Sequence, residues 1–422
     1  MKIFALCLFL LMYVLMVVLP RRRTWVALGA AVIFLASGML PLRELPGAVN
    51  WNVLFMISGT MVIVHYFIDS KMPNRLADML MARSKNVKWV TVYLSVFAGL
   101  ISAFIDNVAT VLIMAPVGMA VCRKQGINPV PMILSIAVSS NLQGAATLVG
   151  DTTSIMLGDY AGMDFLSFFW MEGRPGIFFA VELGALASVG IMLLLFRKDT
   201  QPVTPGTLTP ISDWFLGLML LAVIGCLIGA SFIQNKPDVT NGLICLVLAA
   251  VTVLRDQART GDGSRLREAG RAVDKATLLL LVGLFIVIAG VTNVGLVDDF
   301  AAWIVKVGGS SLFVLFTVIT FGSVLISAFV DNIPYVAAML PVLTGVTTAL
   351  GIEPYLLYFG LLSGATLGGN LTPFGASANV TAVGQLMKEG CQVSFRDFAR
   401  IGVPFTLSAV CAGYVFLWFV WS

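Results

Sequence analysis

Charged residues are scarce in this chain of 422 residues. They make up 11% of the sequence, against about 25% in ordinary soluble domains. Hydrophobic residues make up 59%, more than a soluble core can bury, so we expect the bilayer to be the solvent. The apolar runs do not alternate with polar residues, which argues against a β-barrel. The net charge of +4 carries no sign of nucleic-acid binding, because the basic residues fall in loops that flank the apolar runs.

Cysteine pairs with metal-binding or disulfide spacing are also absent. The six cysteines are scattered, mostly within apolar runs, and no CxxC occurs, so we expect neither a disulfide framework nor a zinc site. The single histidine, His65, is interpreted either as a proton relay or as a packed interfacial residue. No nucleotide motif or nucleophile–base pair is apparent, which argues against a primary pump, an enzyme or a bound cofactor. These absences do not argue against a separate ATPase subunit as a partner.

Apolar runs of about 17–25 residues, the length that crosses a bilayer as a helix, recur along the chain. The first run is followed by Pro20-Arg21-Arg22-Arg23 and not by a small-residue cleavage site, so we interpret it as a crossing and not as a signal peptide. Ten crossings are predicted, at 3–20, 24–40, 51–68, 131–158, 175–196, 213–231, 240–254, 276–293, 354–384 and 401–421.

One motif occurs twice. Residues 102–108, Ser-Ala-Phe-Ile-Asp-Asn-Val, return as Ser-Ala-Phe-Val-Asp-Asn-Ile at 327–333, and nine of the sixteen positions from 102 to 117 are identical at this shift. Each copy places a carboxylate and an amide, Asp106-Asn107 and Asp331-Asn332, inside an apolar region. Such groups are costly at bilayer depth and indicate function. A duplicated costly site is typical of a transporter built from two halves.

The repeated motif lies within two additional apolar regions, 87–121 and 309–350. We predict that each is a re-entrant hairpin with Asp-Asn near its tip, since irregular backbone at bilayer depth must face protein or a water-filled cavity. Before each hairpin lies a short amphipathic segment, predicted either as an interfacial helix between mobile and static parts or as an ordinary loop helix. Its apolar residues are Leu76, Met79 and Leu80 in the first half and Phe300, Trp303 and Ile304 in the second.

Basic residues divide unequally between the two sides of the predicted bundle. One side receives 21 of the 26, including Arg21 to Arg23 and the 255–275 loop, and the other receives Lys2, Arg43, Arg174, Lys236 and Lys306. The positive-inside rule then places the larger set in the cytoplasm and both termini outside, and we expect a bacterial inner membrane.

Five crossings in each half invert the second half relative to the first. We therefore predict an all-α membrane protein of two inverted repeats, each with a re-entrant hairpin and a broken helix. The predicted boundaries are 1–198 for the first repeat, 199–212 for a cytoplasmic linker containing Pro202, Pro205 and Pro210, and 213–422 for the second repeat.

The span after each hairpin is too rich in glycine, proline and polar residues for a regular helix. Gly144, Thr147 and Gly150 align with Gly369, Thr372 and Gly375 at the same shift as the Asp-Asn motif. Glycine costs about 1 kcal/mol and proline about 3 kcal/mol in a helix interior, so a break is expected. A break exposes N–H donors and carbonyl acceptors at helix ends.

Two hairpin tips and two broken helices are predicted to converge near the middle of the bilayer. The alternative is that their polar residues only hold helices together. The candidate site comprises Asp106, Asn107, Asn141, Gly144, Thr147, Asp151 and Ser154 from the first half, and Asp331, Asn332, Gly369, Asn370, Thr372, Ser377 and Asn379 from the second. Three carboxylates without lysine or arginine favour H⁺ or Na⁺ as coupling ion, with Asp106 and Asp331 as candidate Na⁺ ligands.

These motifs resemble the ion transporter superfamily, which includes arsenite-efflux permeases, Na⁺/H⁺ antiporters of the NhaD type, the melanosomal P-protein and divalent anion/sodium symporters. The Asp-Asn hairpins and the segments 144–151 and 368–380 look most like the P-protein and arsenite-permease branch. The resemblance spans nearly the whole chain. It implies a scaffold domain, a transport domain that works as an elevator, and a homodimer.

Two departures from the superfamily's patterns bear on the cargo. Ser140-Asn141 is followed by Leu142, and not by the threonine of the Ser-Asn-Thr motifs that clamp dicarboxylates, which argues against citrate or succinate. The first hairpin has Asp106-Asn107, where bacterial arsenite permeases have Asn-Asp-Gly. No cysteine falls in the site, so a hydroxyl and amide site for neutral arsenite is expected, and not thiolate capture.

The sequence therefore predicts a cation-coupled secondary transporter, with H⁺ as coupling ion and efflux of arsenite or antimonite as its most specific function. An Na⁺/H⁺ antiporter is the second hypothesis. A symporter of anions or carboxylates, or a channel, is the third.

Overall fold

The fold was analysed in a computed structural model that describes residues 1–203, 208–261, 264–308 and 311–422. Three parts of the expectations above lie outside the described residues. They are Pro205 with the rest of 204–207 in the linker, residues 262–263 of the 255–275 loop, and residues 309–310 at the start of the second hairpin region.

The first half is helical, apart from one short antiparallel pair of strands, β1 (Trp170–Met171) and β2 (Arg174–Pro175). Its helices are α1 (Lys2–Val18), α2 (Arg23–Ala36), α3 (Leu45–Ala48), α4 (Trp51–Asp69), α5 (Met72–Ala82), α6 (Val87–Ser102), α7 (Asn107–Gln125), α8 (Val130–Gly144), α9 (Thr152–Tyr160) and α10 (Ile177–Leu195).

The second half has a matching series of helices. They are α11 (Trp214–Ser231), α12 (Thr240–Thr260), α13 (Ser264–Ala272), α14 (Lys275–Asn293), α15 (Leu296–Gly308), α16 (Leu312–Ser327), α17 (Asn332–Leu350), α18 (Tyr355–Gly368), α19 (Ser377–Lys388) and α20 (Phe395–Trp421). The amphipathic segments predicted before each hairpin are helical, as α5 and α15.

Helix starts and stops repeat at the shift found in the sequence. The first residues of α6, α7, α8 and α9 are separated from those of α16, α17, α18 and α19 by the same interval that separates Asp106 from Asp331. Helices α7 and α17 both end at a glycine in the left-handed conformation, Gly126 at φ 65° and Gly351 at φ 66°. Glycine populates that region without the strain of a side chain. The repeat is therefore carried by local backbone chemistry as well as by the Asp-Asn motif.

The two halves are interlocked by their packing. Helix α2 of the first half packs mainly on α14 of the second, whereas α12 of the second half packs mainly on α4 of the first. Within the halves, α6 packs on α8 and α16 packs on α18, and α10 packs on α20 across the chain. Each half therefore contributes helices to the core of the other.

Uninterrupted apolar helices are fewer than the ten predicted crossings. In the described part of the chain, eight helices are long and apolar enough to cross a membrane, namely α4, α7, α10, α11, α12, α14, α17 and α20, and a pair bent by 115°, Lys2–Val18 with Pro20–Ala36, forms a ninth candidate. The predicted spans 131–158 and 354–384 are each divided into two short helices. The two sets also differ in membership, because α7 and α17 fall in the regions predicted as re-entrant hairpins, and the predicted crossings 3–20 and 24–40 form the bent pair.

The segment predicted as a linker is held in place where the structure describes it. Backbone N–H groups of Val87 and Lys88 donate to the carbonyls of Gln201 at 3.0 Å and Asp199 at 2.9 Å. At the other end, the Thr209 hydroxyl donates to Asp78 in α5 at 2.6 Å. The described parts of 199–212 therefore cross over the start of the first hairpin as an ordered connection.

Asp213 joins the first two helices of the second half. Its carboxylate accepts from the backbone N–H of Phe215 at 2.9 Å, which caps α11, and pairs with Arg255 and Arg259 of α12. Burial alone raises the pKa of Asp213, but the hydrogen bonds from Arg255 and Phe215 and the two arginine charges outweigh burial and lower the pKa below its usual value.

We expect Asp213→Asn to destabilise the protein by about 1–2 kcal/mol, since it weakens two partly exposed ion pairs while an asparagine still caps the helix. Because folding lowers the pKa of Asp213, its contribution is complete above the unfolded-state pKa of about 4 and is lost as the pH falls through the folded-state pKa. Thermal unfolding in detergent should show a deficit at pH 7 that narrows below pH ~4.

Asp238→Asn is the matched control, because Asp238 is exposed and has no ion-pair partner among the described residues. An equal loss of stability in both variants, or a deficit for Asp213→Asn that does not change with pH, would contradict the assignment.

Candidate functional site

A break interrupts each helix that follows a hairpin. Helix α8 ends at Gly144 and α9 begins at Thr152, and α18 ends at Gly368, with α19 beginning at Ser377. A Cβ atom at Gly150 would lie 2.7 Å from the Gly144 carbonyl oxygen, and one at Gly375 would lie 2.7 Å from that of Gly369. At these two positions the neighbouring backbone is too close for a side chain, which explains the paired glycines.

Equivalent hydrogen bonds hold both breaks against the hairpin tips. The Thr147 hydroxyl donates to the carbonyl of Ala103, and at the equivalent positions of the second half the Thr372 hydroxyl donates to that of Ala328 at 2.6 Å. These threonines are buried, so their partners are intramolecular.

A second pair of bonds connects the two sides of each break. The Ser154 hydroxyl donates to the carbonyl of Gly144 at 2.9 Å. At the corresponding positions, the Asn379 amide donates to that of Gly369 at 3.0 Å. Thr147, Ser154, Thr372 and Asn379 therefore shape the site and do not face an open space.

Buried amide side chains connect the two halves at the centre. Asn141 accepts from the Asn107 amide at 3.0 Å, and its own NH₂ group donates to Asn370 at 2.7 Å and to Asn379 at 2.9 Å. Asn370 in turn donates to the Val138 carbonyl at 3.0 Å. Asn141, Asn370 and Asn379 are fully buried. A buried polar group without a partner costs about 1–3 kcal/mol, so this network holds the two breaks together.

The repeated aspartates cap the second helix of each hairpin. Asp106 accepts from the backbone N–H groups of Val108 at 3.0 Å and Ala109 at 3.2 Å, through one carboxylate oxygen. Asp331 accepts from the N–H of Ile333 at 3.1 Å through one oxygen, and its other oxygen pairs with Arg23 at the start of α2. The two tips therefore share a cap but differ in charge.

Asp151 lies at the start of α9 and faces the second hairpin. Its carboxylate accepts from the Thr153 hydroxyl at 2.9 Å and from the Asn332 amide at 3.2 Å. Among the described residues no arginine, lysine or histidine pairs with Asp151 or with Asp106. Two of the three predicted carboxylates thus have hydrogen bonds but no fixed positive charge.

These carboxylates line one cavity of about 890 Å³. Six of the predicted residues reach its wall: Asp106, Asn107, Asp151, Asp331, Asn332 and Ser377. The other eight lie behind this wall or form the backbone of the breaks: Asn141, Gly144, Thr147, Ser154, Gly369, Asn370, Thr372 and Asn379. The predicted residues are close together, but they divide into a wall and a supporting frame.

The prediction that the site lacks lysine and arginine is wrong. Arg21 and Arg23 line the cavity, and Arg23 pairs with Asp331 across 308 sequence positions. Asp274, which caps α14, lies in the same wall. The sequence did show a Pro-Arg-Arg-Arg run, but in sequence it reads as a membrane-flanking loop, because only the fold brings α2 to the second hairpin.

Asp331 and Asp106 differ as candidate Na⁺ ligands. Both oxygens of Asp331 are occupied, one by a backbone N–H and one by Arg23, whereas Asp106 uses a single oxygen. No group of three or more His, Cys, Asp or Glu side chains among the described residues could hold a metal ion. His65 lines the cavity with its Nε2 3.8 Å from Asp69.

A second cavity, of about 970 Å³, lies toward the opposite ends of the same helices. Met56 and Ile57, neighbours in α4, line different cavities, and so do Met156 and Ile155 in α9. The wall of the second cavity includes Asp159, whose carboxylate accepts from the amides of Asn50, which caps α4, and of Asn52 in α4. Neighbouring residues of α4 and of α9 therefore face two different cavities.

Known families and proteins resemble the chain over nearly its whole length. A family model described as a citrate transporter, CitMHS, matches residues 13–360 and, in a second match, 242–422. The uncharacterized transporter Rv2685 of Mycobacterium tuberculosis is 29% identical over 432 residues, which cover 99% of this chain and 98% of that protein. The human P protein is 23% identical over 87% of this chain, which spans about half of that protein's length, 53%. The expected resemblance to the P-protein branch is confirmed.

Two solved transporter structures have a similar fold. The YdaH transporter of Alcanivorax borkumensis aligns with a TM-score of 0.61 at 15% identity, covering 89% of this chain and 86% of that one. MtrF of Neisseria gonorrhoeae, described among antimetabolite efflux pumps, aligns with a TM-score of 0.58 at 16% identity, covering 90% and 83%. At such low identity the likeness concerns the fold alone.

We expect Gly150→Ala and Gly375→Ala to destabilise the protein by about 1–3 kcal/mol each, because the added Cβ forces two tightly packed backbone segments apart. Gly384→Ala in α19 is the control, since nothing lies within 4 Å of its Cβ position and alanine favours a helix. Thermal unfolding of the purified variants measures both effects. Wild-type stability of the two break variants would contradict the close packing.

Replacing Asn141 with alanine removes the centre of the amide network. It leaves the Asn107 NH₂ group and the side-chain oxygens of Asn370 and Asn379 without the partner that Asn141 supplied, so we expect a loss of about 2–5 kcal/mol. Ser377→Ala, which changes a cavity-lining side chain outside that network, should leave the unfolding temperature unchanged. Equal unfolding temperatures for the two variants would show that the network does not hold the halves together.

Proposed function

The chain belongs to the CitMHS citrate-transporter family within the ion transporter superfamily and is a secondary transporter of the membrane, and from that premise we propose that Asp106 and Asp151 bind its coupling cation. The observation that carries the proposal is their position: two carboxylates without a fixed counter-charge share one cavity between a hairpin tip and a helix break. Charge at bilayer depth is costly until it is paired. A mobile cation supplies that charge.

We propose H⁺ as the coupling cation, with Na⁺ as the alternative. Asp106 has one oxygen outside its helix cap and Asp151 accepts from neutral donors, so either carboxylate can take a proton without a cage of further ligands. An Na⁺ ion prefers several oxygen ligands, and the nearby amide oxygens of Asn141, Asn370 and Asn379 are already engaged or buried.

Two cavities, each with charged residues in its wall, lie at opposite ends of α4 and α9 and support a proposal of alternating access. In the proposed cycle, the halves are inverted repeats, and the hairpins with the broken helices move as an elevator against a scaffold that includes α4, α12, α2 and α14. Helices α5 and α15 connect the two parts. The cavity that holds Arg21 and Arg23 opens to the cytoplasm, both termini lie outside, and the protein works as a homodimer in the bacterial inner membrane.

The first proposed cargo is arsenite or a similar small inorganic solute, carried outward. Arsenite is a small neutral hydroxide at neutral pH and suits hydroxyl and amide ligands. Most of the predicted ligands of that kind are engaged within the protein, so the cargo would contact Asn107, Thr152, Asn332 and Ser377, which line the cavity.

A carboxylate such as citrate is the second candidate cargo. Two observations favour it: the family's description names citrate, and Arg21 and Arg23 add positive charge to the cavity. Asp106, Asp151 and Asp331 would repel a bare trianion, so this cargo requires one or more cations bound with it.

The experiment that tests these proposals uses the purified protein in liposomes that contain a pH-sensitive dye. Gradients of Na⁺, arsenite and citrate are imposed one at a time. Proton movement with Na⁺ alone identifies an antiporter, movement with arsenite alone identifies a metalloid carrier, and movement with citrate alone identifies a carboxylate transporter. Absence of proton movement with all three contradicts proton coupling.

We expect Asp106→Asn to abolish proton movement in this assay while the protein stays folded, because asparagine caps helices as well as aspartate but cannot take up a proton. Asp298→Asn at the exposed start of α15 should transport like the wild type. Normal pH-dependent transport by Asp106→Asn would refute the role of that carboxylate. Unfolding temperature and size-exclusion profile verify that each variant is intact.

A further inference from the structure

The two hairpin tips are equivalent in backbone but not in charge. Asp106 and Asp331 occupy equivalent positions in the two halves, both cap the helix that follows them, and both line the same cavity. Asp331 is paired with Arg23, whereas no described basic side chain pairs with Asp106. One tip thus has a built-in positive charge and the other does not.

Arg23 is held at the second tip by the fold. It is the first residue of α2, which packs on α14, and its side chain is 30% exposed against 18% for Asp331. The same hairpin receives a second contact from the N-terminal helices, since the Tyr13 hydroxyl of α1 donates to the Pro334 carbonyl at 2.6 Å. Helices α1 and α2 together therefore contact the start of α17.

The other charged and titratable groups of the cavity do not replace Arg23. Arg21 lines the wall, Asp274 caps α14 through its own backbone contacts, and His65 lies beside Asp69. Asp151 is bonded to Thr153 and Asn332. None of these groups forms an ion pair with Asp331 in the described part of the chain.

We propose that Arg23 is the counter-ion of Asp331 when the second hairpin lies against α2, so that in this state the second hairpin needs no mobile cation while the first hairpin takes the coupling cation at Asp106. Arg23 is then a positioning residue that limits how many cations move with each cargo. This inference rests on the proposed cation-coupled transport. The inference gives the two copies of the Asp-Asn motif different roles, although the two copies are alike in sequence.

The proposal predicts a rescue by paired neutralisation. Arg23→Gln leaves Asp331 uncompensated, so transport should either stop or depend more steeply on the coupling cation, because Asp331 then needs a mobile cation as Asp106 does. The double variant Arg23→Gln/Asp331→Asn removes both charges and should regain transport with the wild-type cation dependence. Arg23→Lys keeps the charge and should also keep that dependence.

The measurement is the initial rate of dye-reported proton movement in proteoliposomes under the Na⁺, arsenite and citrate gradients, as a function of pH and of Na⁺ concentration. Unfolding temperature and size-exclusion chromatography verify that every variant is folded. Loss of transport in Arg23→Gln with recovery in the double variant supports the proposal, and so does a steeper cation dependence that the double variant reverses.

Two results would overturn the proposal. One is transport by Arg23→Gln with the wild-type cation dependence, and the other is a folded double variant as defective as Arg23→Gln. Asp106→Asn separates this proposal from the proposed function. If that variant loses coupling while Arg23→Gln behaves like the wild type, the function stands and the counter-ion role fails. If Asp106→Asn transports normally, or the wild type moves no protons, the proposed coupling fails and this inference fails with it.

Discussion

Polar groups at the centre of this protein must find partners inside it, because the surrounding hydrocarbon offers none. The amides of Asn107, Asn141, Asn370 and Asn379 satisfy this requirement together, and in doing so they connect the two helix breaks. Threonine hydroxyls connect the same breaks to the hairpin tips. The site depends on this buried frame, which allows irregular backbone to persist where a regular helix would otherwise be required.

The frame leaves a cavity whose charges are distributed unequally. Asp331 is paired with Arg23, while Asp106 and Asp151 are hydrogen-bonded but have no fixed counter-charge among the described residues. In the proposed mechanism the two copies of the motif are used asymmetrically, since a single arginine from another helix pairs with Asp331 and not with its equivalent Asp106. A second cavity lies toward the opposite ends of α4 and α9, and the proposed alternating access would use the two cavities in turn.

Much of the local structure could be predicted from sequence because its causes are local. Paired glycines at 144/369 and 150/375 indicated the breaks, and the constant shift between the two copies of the motif located equivalent helices. The number of crossings was less predictable, since hydropathy does not separate one helix from two short ones. The division of the site into wall and frame was not predictable either, because Thr147 and Thr372 have the same chemistry whether they face a cavity or a carbonyl.

The order of residues alone is enough to infer that this chain lies in a membrane, that it repeats a costly Asp-Asn motif, and that the following helices break. Hydrophobicity and backbone propensity are properties of short segments, so no fold is needed to evaluate them. Only the folded chain shows that Arg23 pairs with Asp331, that Asp106 has no such partner among the described residues, and that Asn141 joins the two halves. These pairings connect residues hundreds of positions apart, and electrostatic interaction depends on distance in space and not on distance along the chain.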